Sequence, residues 1–182
     1  YFHGDFELDD IALGEEGLNR LGNVIVPNEC YGDIIERVML PWLEEIEEER
    51  LALQTDNPWL GFGSVELCWA IGDRIKDESS LLHWAAKHRI PIVIPGLSDG
   101  AIGSQLFMHR QKSPSFMIDF LADEQVLSDL TWTSEESHAL MVGGGISKHH
   151  VIWWNQYRGG LDSAVAITTA PEHDGSLSGA RL

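Results

Sequence analysis

A glycine triplet between an apolar run and a helix start is the feature that most constrains the fold of this 182-residue chain. The apolar run 139–142 leads into glycines 143–145, and Ser147 then stands where its side chain can cap a helix carrying His149. Because the free N–H groups and the dipole of a first helical turn favour negative charge, this unit predicts an anion site beside a histidine that titrates near neutrality. A tight strand–helix turn with surface histidines is the alternative.

The charge balance restricts the partners of the chain. There are 29 acidic and 12 basic residues, which gives a formal net charge of −17. Such a surface repels nucleic acid and anionic membranes, so the composition predicts neither as a partner. It suits cationic small molecules or basic proteins. The apolar fraction of 43% is ordinary for a globular protein.

Cysteine usage and the chain start give two further expectations. Cys30 and Cys68 lie far apart without metal-ligand spacing, which predicts a reducing, cytoplasmic setting and no metal site. No apolar run reaches the roughly 20 residues that a membrane span needs. The chain opens on Tyr1 without a starting Met, so we expect its N-terminus to lie inside a longer protein, and its length predicts one domain.

Helical periodicity predicts helices in the first half of the chain. Asn28 is placed to cap a long helix over about 29–53, in which the glutamates of 44–49 form a solvated face. Two shorter helices are predicted over 64–76 and from Ser79 or Ser80 to Lys87.

Four short apolar runs alternate with helical patterns in the second half. The predicted strands are 90–95, 116–119, 139–142 and 164–168, and the helices between and after them are predicted to end near Gln111, to cover 122–130 and to cover 147–157. Alternation of this kind predicts an α/β protein with a Rossmann-like, doubly wound, mainly parallel sheet and flanking helices.

Segments of small residues follow three of the predicted strands, and two of these segments also contain an acid. The three segments are 98–100, the glycine triplet and 174–176. Because ligands of doubly wound sheets bind beyond the carboxyl ends of the strands, this pattern predicts a nucleotide site, with Asp99 and Asp174 available to ribose hydroxyls. Taken alone, each Asp is better explained as a helix cap or turn residue. Gly-x-Gly-x-x-Gly is absent, so the common dinucleotide fingerprint does not apply.

Taken together, the strings resemble those of the deoxyhypusine synthase family, and they follow one another in one order over nearly the whole chain. The most specific is Gly-Gly-Gly-x-x-Lys-His-His at 143–150. The others are 20–23 with 26–28, 94–100, 169–172 with 174–176, and 178–181.

The resemblance implies a Rossmann-like fold and an NAD-dependent transferase. In this family the aminobutyl group of spermidine passes to an enzyme lysine as an imine and then to a lysine of the precursor of the hypusine-containing translation factor. It also implies a homotetramer with active sites between paired subunits.

The resemblance further implies individual roles. His149 would be the active-site histidine, which physical chemistry supports because oxidation of an amine needs a proton acceptor. The remaining implied residues are the NAD contacts Asp99, Gly144, Thr169, Ala170 and Asp174, and the substrate contacts Ser104, Gly175 and Ser176.

The chain departs from the family pattern in its lysines and its acids. The family's imine-forming lysine follows the position of Arg181, and none of the four lysines here occupies its place. Surface charge is the simplest interpretation of Lys148, but its place beside the glycine turn would also allow contact with a cofactor or an acid. We interpret His150 as a structural hydrogen-bonding residue. The family's first NAD-binding loops and paired glutamates would precede Tyr1. The resemblance therefore implies that residues 1–182 form a single NAD-binding domain that is incomplete at both ends.

Two positions that the family commonly fills with carboxylates are Ser104 and Leu177 here, and Trp153 replaces a smaller polar residue. Because a partly buried ammonium group needs a negative or polar partner, we expect weaker use of spermidine, or another amine such as agmatine. Two functional alternatives stay open: a homospermidine synthase-like transferase, and a non-catalytic NAD-binding subunit that assembles with an active paralogue.

Overall fold

The computed structural model describes residues 1–180, which form an α/β fold in two compact units. One unit consists of Tyr1–Asp56 and Ser98–Phe116, and the other of Asn57–Leu97 and residues 117–180. Arg181, at the end of one of the family strings, lies outside the described residues. Among the described residues, no helix has both the length and the apolar character to cross a membrane.

Residues 1–180 contain five strands and seven α-helices, which alternate unevenly. The strands are β1 (Phe2–His3), β2 (Leu18–Leu21), β3 (Val24–Pro27), β4 (His138–Val142) and β5 (Ser163–Ile167). The helices are α1 (Asp10–Glu15), α2 (Gly32–Leu51), α3 (Ser64–Arg74), α4 (Leu81–His88), α5 (Ala101–Lys112), α6 (Phe120–Thr133) and α7 (Ile146–Asn155).

The first unit holds an antiparallel sheet that the sequence did not predict. Its order is β1-β3-β2, and Ile25 of the central strand is fully buried. Arg20 of β2 pairs with Asp10 at the start of α1 at 2.7 Å. The hydrogen bond from this guanidinium holds the pKa of Asp10 below its usual range. Helices α2 and α5 pack together in the same unit.

The long helix α2 is confirmed, but its predicted cap and part of its solvated face are wrong. Asn28 lies in a 3₁₀ turn before the helix, and its Oδ1 accepts a hydrogen bond from Asn19 at 2.6 Å. Glu47 is buried rather than solvated. It faces His109 Nε2 at 2.9 Å and accepts a hydrogen bond from the Ser113 hydroxyl. Partners on α5 and just beyond it therefore compensate for the desolvation of this carboxylate.

In the second unit, α3 and α4 confirm the predicted helices and pack against each other. The start of α3 is capped by a side chain that is distant in sequence. Asp123 of α6 is buried, and its carboxylate accepts hydrogen bonds from the N–H groups of Ser64 at 2.8 Å and Val65 at 3.1 Å. A negative charge at this end also complements the helix dipole.

Two of the four predicted parallel strands are confirmed. Strands β4 and β5 pair in parallel, with Leu140 opposite Val165 and Val142 opposite Ile167. All four of these side chains are more than half exposed. One face of the strand pair is therefore apolar and uncovered among the described residues.

The other two predicted strands, 90–95 and 116–119, are wrong. Pro91 and Pro95 carry no N–H, so the first segment is poorly suited to a sheet ladder. The Ile94 N–H instead donates to Ser64 Oγ at 2.8 Å. In the second segment, the Asp119 N–H donates to the Phe62 carbonyl at 2.9 Å. Both runs are irregular connections, so the described parallel sheet has two strands.

Candidate functional site

The glycine turn joins β4 directly to α7. The Gly143 N–H donates to the Ile167 carbonyl at 2.7 Å, which continues the β4–β5 ladder into the turn. Gly145 precedes the helix with φ 131° and ψ −158°, and no side chain caps the helix. The predicted Ser147 cap is wrong, because the helix begins at Ile146. The first-turn N–H groups of α7 are therefore left for a ligand or solvent.

Parallel pairing brings the segment after β5 against this turn. Thr168 Oγ1 accepts a hydrogen bond from the Ala170 N–H at 3.0 Å, which shapes the segment. A Cβ added to Gly144 would lie 3.3 Å from the Ala170 Cβ and 3.4 Å from Thr168 Oγ1. The absence of a side chain at Gly144 thus permits the close approach of the two loops.

A third loop, 174–178, completes the arrangement. Asp174 accepts a hydrogen bond from the Gly175 N–H through Oδ1 at 2.9 Å. Ser176 and Leu177 both have φ 58°, an uncommon conformation for residues other than glycine. The Ser178 hydroxyl donates to the Gly175 carbonyl at 2.8 Å, so a local hydrogen bond spans the two left-handed residues.

These three loops enclose a cavity of about 390 Å³. Six residues predicted from the sequence line it together: Gly144, Thr169, Ala170, Asp174, Gly175 and Ser176. Its walls offer backbone amides from the glycine turn, several hydroxyl groups and one carboxylate. This donor set fits a nucleotide, because amides at a helix start bind phosphate and a carboxylate accepts from ribose hydroxyls. The volume lies in the range usual for small-molecule sites.

The predicted residues Asp99 and Ser104 line a different cavity, of about 430 Å³, in the first unit. Asp99 follows an irregular segment rather than the predicted strand. The Ser104 hydroxyl donates to the Gly100 carbonyl at 3.2 Å, within the first turn of α5. Gln105 also lines this cavity, and its buried Oε1 has no hydrogen-bond partner among residues 1–180. This cavity therefore offers a carboxylate and a buried amide.

His149 lies on α7 but does not line either cavity. Its ring stacks on Trp153 with centroids 6.0 Å apart and planes 11° apart, and Trp153 in turn meets Tyr157 edge-on. His150 Nε2 lies 3.4 Å from Glu124 Oε1 on α6, a contact that supports the structural interpretation of His150. Aromatic stacking thus restricts the orientation of the His149 imidazole.

Of the two interpretations of Lys148, the surface charge is wrong. Lys148 is 5% exposed instead of lying at the surface, and its Nζ donates to Ser178 Oγ at 2.6 Å. The roles of Thr168 and Ser178 in shaping the loops were also missed. The neighbouring pattern does not indicate the burial of Lys148, since Val151, one helical turn after it, is itself exposed.

Comparison with known proteins supports the resemblance. The family model of deoxyhypusine synthase matches residues 1–182. "Probable deoxyhypusine synthase" of Picrophilus torridus is 50% identical over 182 residues, and that of Ignicoccus hospitalis is 46% identical over 185 residues. Both alignments include 100% of this chain. A crystal structure of a candidate deoxyhypusine synthase from Entamoeba histolytica aligns with TM-score 0.51 and 27% identity, over 60% of this chain and 38% of that one.

The chain spans about half the length of these curated relatives, with 56% of the Picrophilus protein and 54% of the Ignicoccus protein covered. The family-model match includes the glycine turn and every loop of the 390 Å³ cavity. Because the family model matches the chain from its first residue to its last, the chain belongs to the deoxyhypusine synthase family.

Proposed function

We propose that the protein transfers an aminobutyl group from spermidine or a related amine to a lysine of the precursor of the hypusine-containing translation factor, using NAD. The observation that carries this proposal is the cavity at the ends of β4 and β5, where six residues expected from the family pattern line one site. Family membership supplies the reaction class.

The cofactor half of the proposal rests on the chemistry of that cavity. The glycine turn and the uncapped start of α7 suit the phosphates, and Asp174 suits a ribose hydroxyl. Thr169 and Ala170 contribute the wall opposite the glycine turn. When bound, NAD supplies the hydride acceptor for oxidation of the amine. In the first unit, Asp99 is proposed as a further NAD contact.

The substrate half rests on His149 and on the residues proposed to meet the amine. Loss of hydride from an amine requires its neutral form, and His149 is proposed to accept the proton. The stacked Trp153 limits the directions in which the imidazole can do so. Gly175, Ser176 and Ser104 are proposed substrate contacts. Since Ser104 and Leu177 carry no charge, we propose that an amine other than spermidine, such as agmatine, is also accepted.

The uncovered apolar face of β4 and β5 supports a proposal about the whole protein. Parallel strands are normally covered on both faces, and four exposed aliphatic side chains on one face are unusual for a solvent-exposed protein surface. We therefore propose that β4 and β5 belong to a larger, doubly wound sheet in a single domain of the whole protein. A cytoplasmic homotetramer is proposed from family membership alone.

The test is transfer to the acceptor by the full-length protein. The protein is incubated with NAD, the acceptor precursor and either spermidine or agmatine, and modification of the acceptor lysine is followed by mass spectrometry. We expect transfer that depends on NAD and is lost in Asp174→Ala but kept in the control Asp129→Ala, an exposed position on α6.

Each outcome of this test is informative. Transfer to a diamine instead of the protein lysine would favour the homospermidine synthase alternative. NAD binding without transfer to any acceptor would favour the non-catalytic subunit. A clear preference for spermidine over agmatine would reject the proposal of a broadened amine substrate while leaving the reaction class intact.

A further inference from the structure

Lys148 is a buried cation whose charge has no opposite partner in the described part of the chain. Its Nζ donates to Ser178 Oγ at 2.6 Å, and no carboxylate of residues 1–180 pairs with it. Burial of an ammonium group is costly unless it is paired with a negative charge. A single neutral hydroxyl is a weak compensation for this cost.

The hydroxyl that Lys148 contacts belongs to the cavity wall. Ser178 lines the 390 Å³ cavity, and its Oγ donates onward to the Gly175 carbonyl at 2.8 Å. A chain of hydrogen bonds therefore runs from α7 to the loop. The last of these hydrogen bonds spans Ser176 and Leu177, whose left-handed backbone conformations need support from their surroundings.

The ammonium also lies directly behind the glycine turn. A Cβ added to Gly144 would be 3.8 Å from Lys148 Nζ. The positive charge therefore adds to the field of the uncapped α7 start. Both effects favour an anion in the cavity.

We propose that Lys148 is a positioning residue for a phosphate-bearing ligand. Through Ser178 it holds the 175–178 loop in the binding conformation, and its ammonium supplies the positive charge that balances the phosphate. This inference deepens the proposed function and rests on it, because it takes the cavity as the nucleotide site.

The test compares ligands with and without phosphate on the full-length protein. Calorimetry measures binding of ADP-ribose and of adenosine to Lys148→Met, Lys148→Arg and the control Lys112→Met, an exposed lysine on α5. Loss of a charge-assisted contact should weaken ADP-ribose binding about tenfold in Lys148→Met, with adenosine changed less than about twofold. Lys148→Arg should restore most of the affinity, and Lys112→Met should leave both ligands unaffected.

A second readout needs no ligand. Hydrogen exchange of the 175–178 amides should become faster in Lys148→Met, and also in Ser178→Ala, which keeps the charge but removes the link. Ser178→Ala also serves if Lys148→Met does not fold. Equal weakening of both ligands, or unchanged exchange of the loop, would overturn the inference.

The two proposals fail differently. If the wild-type protein binds NAD and Lys148→Met binds it equally well, the role of Lys148 is rejected and the proposed function stands. If the wild-type protein binds neither NAD nor ADP-ribose, the cofactor proposal and this inference are rejected together.

Discussion

Replacement of Gly145 by Ala tests whether the glycine turn needs a backbone conformation that only glycine adopts easily. Gly145 has φ 131° and ψ −158°, a region that residues with a Cβ hardly occupy. A Cβ there would meet no other atom within 4 Å, so the cost arises from backbone conformation and not from a clash. Strain of this kind costs about 1–3 kcal/mol. Urea unfolding of the full-length protein should show a decrease of that size in the free energy of unfolding. If the turn relaxes to avoid the strain, NAD binding should weaken instead.

Two matched variants separate strain from other effects. Gly14→Ala lies in α1 with open space around its Cβ and an ordinary φ, so it should be neutral or stabilising by about 0.5–1 kcal/mol. Gly144→Ala should push the Ala170 segment away and affect NAD binding more than stability. If Gly145→Ala keeps both the stability and the NAD affinity of the wild-type protein, the argument from backbone conformation is refuted.

Other predictions concern the body of the second unit. Asp123→Ala removes the carboxylate that caps α3 and should lower the free energy of unfolding by about 2–4 kcal/mol in urea titration, whereas exposed Asp129→Ala should change it by less than about 0.5 kcal/mol. Burial raises the pKa of the Cys68 thiol to about 11, so iodoacetamide at pH 8 should label exposed Cys30 and spare Cys68 until the protein unfolds; rapid labelling of Cys68 in the native protein would contradict this. Because the pKa of this thiol is raised on folding, its contribution to stability is complete below about pH 9 and is lost as the pH rises towards 11. Unfolding midpoints of the wild-type protein and of Cys68→Ala, measured across that pH range, should show this loss.

Local patterns predicted most of the described helices, because each depends on a short stretch of sequence, but they missed α1. The spacing of apolar residues gave α2, α3, α4, α6 and α7 to within a few residues at each end. The apolar runs before the glycine triplet and at 164–168 gave β4 and β5. The same reasoning failed for 90–95, since an apolar run indicates burial but does not identify the hydrogen-bond partner of each N–H group.

The antiparallel sheet of the first unit was missed for a related reason. Its strands are two to four residues long, too short for a period to be read from them. Their pairing depends on residues far apart in the chain, as in the contact of β1 with β3.

Sequence by itself determined the chemistry of the candidate site. The amino-acid sequence alone identifies the glycine turn, the Thr169–Ala170 pair and the acid–glycine–serine string at 174–176. Tertiary structure alone decided which of these residues share a cavity, and that Lys148 lies behind its wall. The physical reason is that residue type sets what a group can bind, whereas burial and charge compensation depend on neighbours that the fold brings from distant parts of the chain. Glu47 and Asp123, both acidic and both buried against such neighbours, show the same dependence.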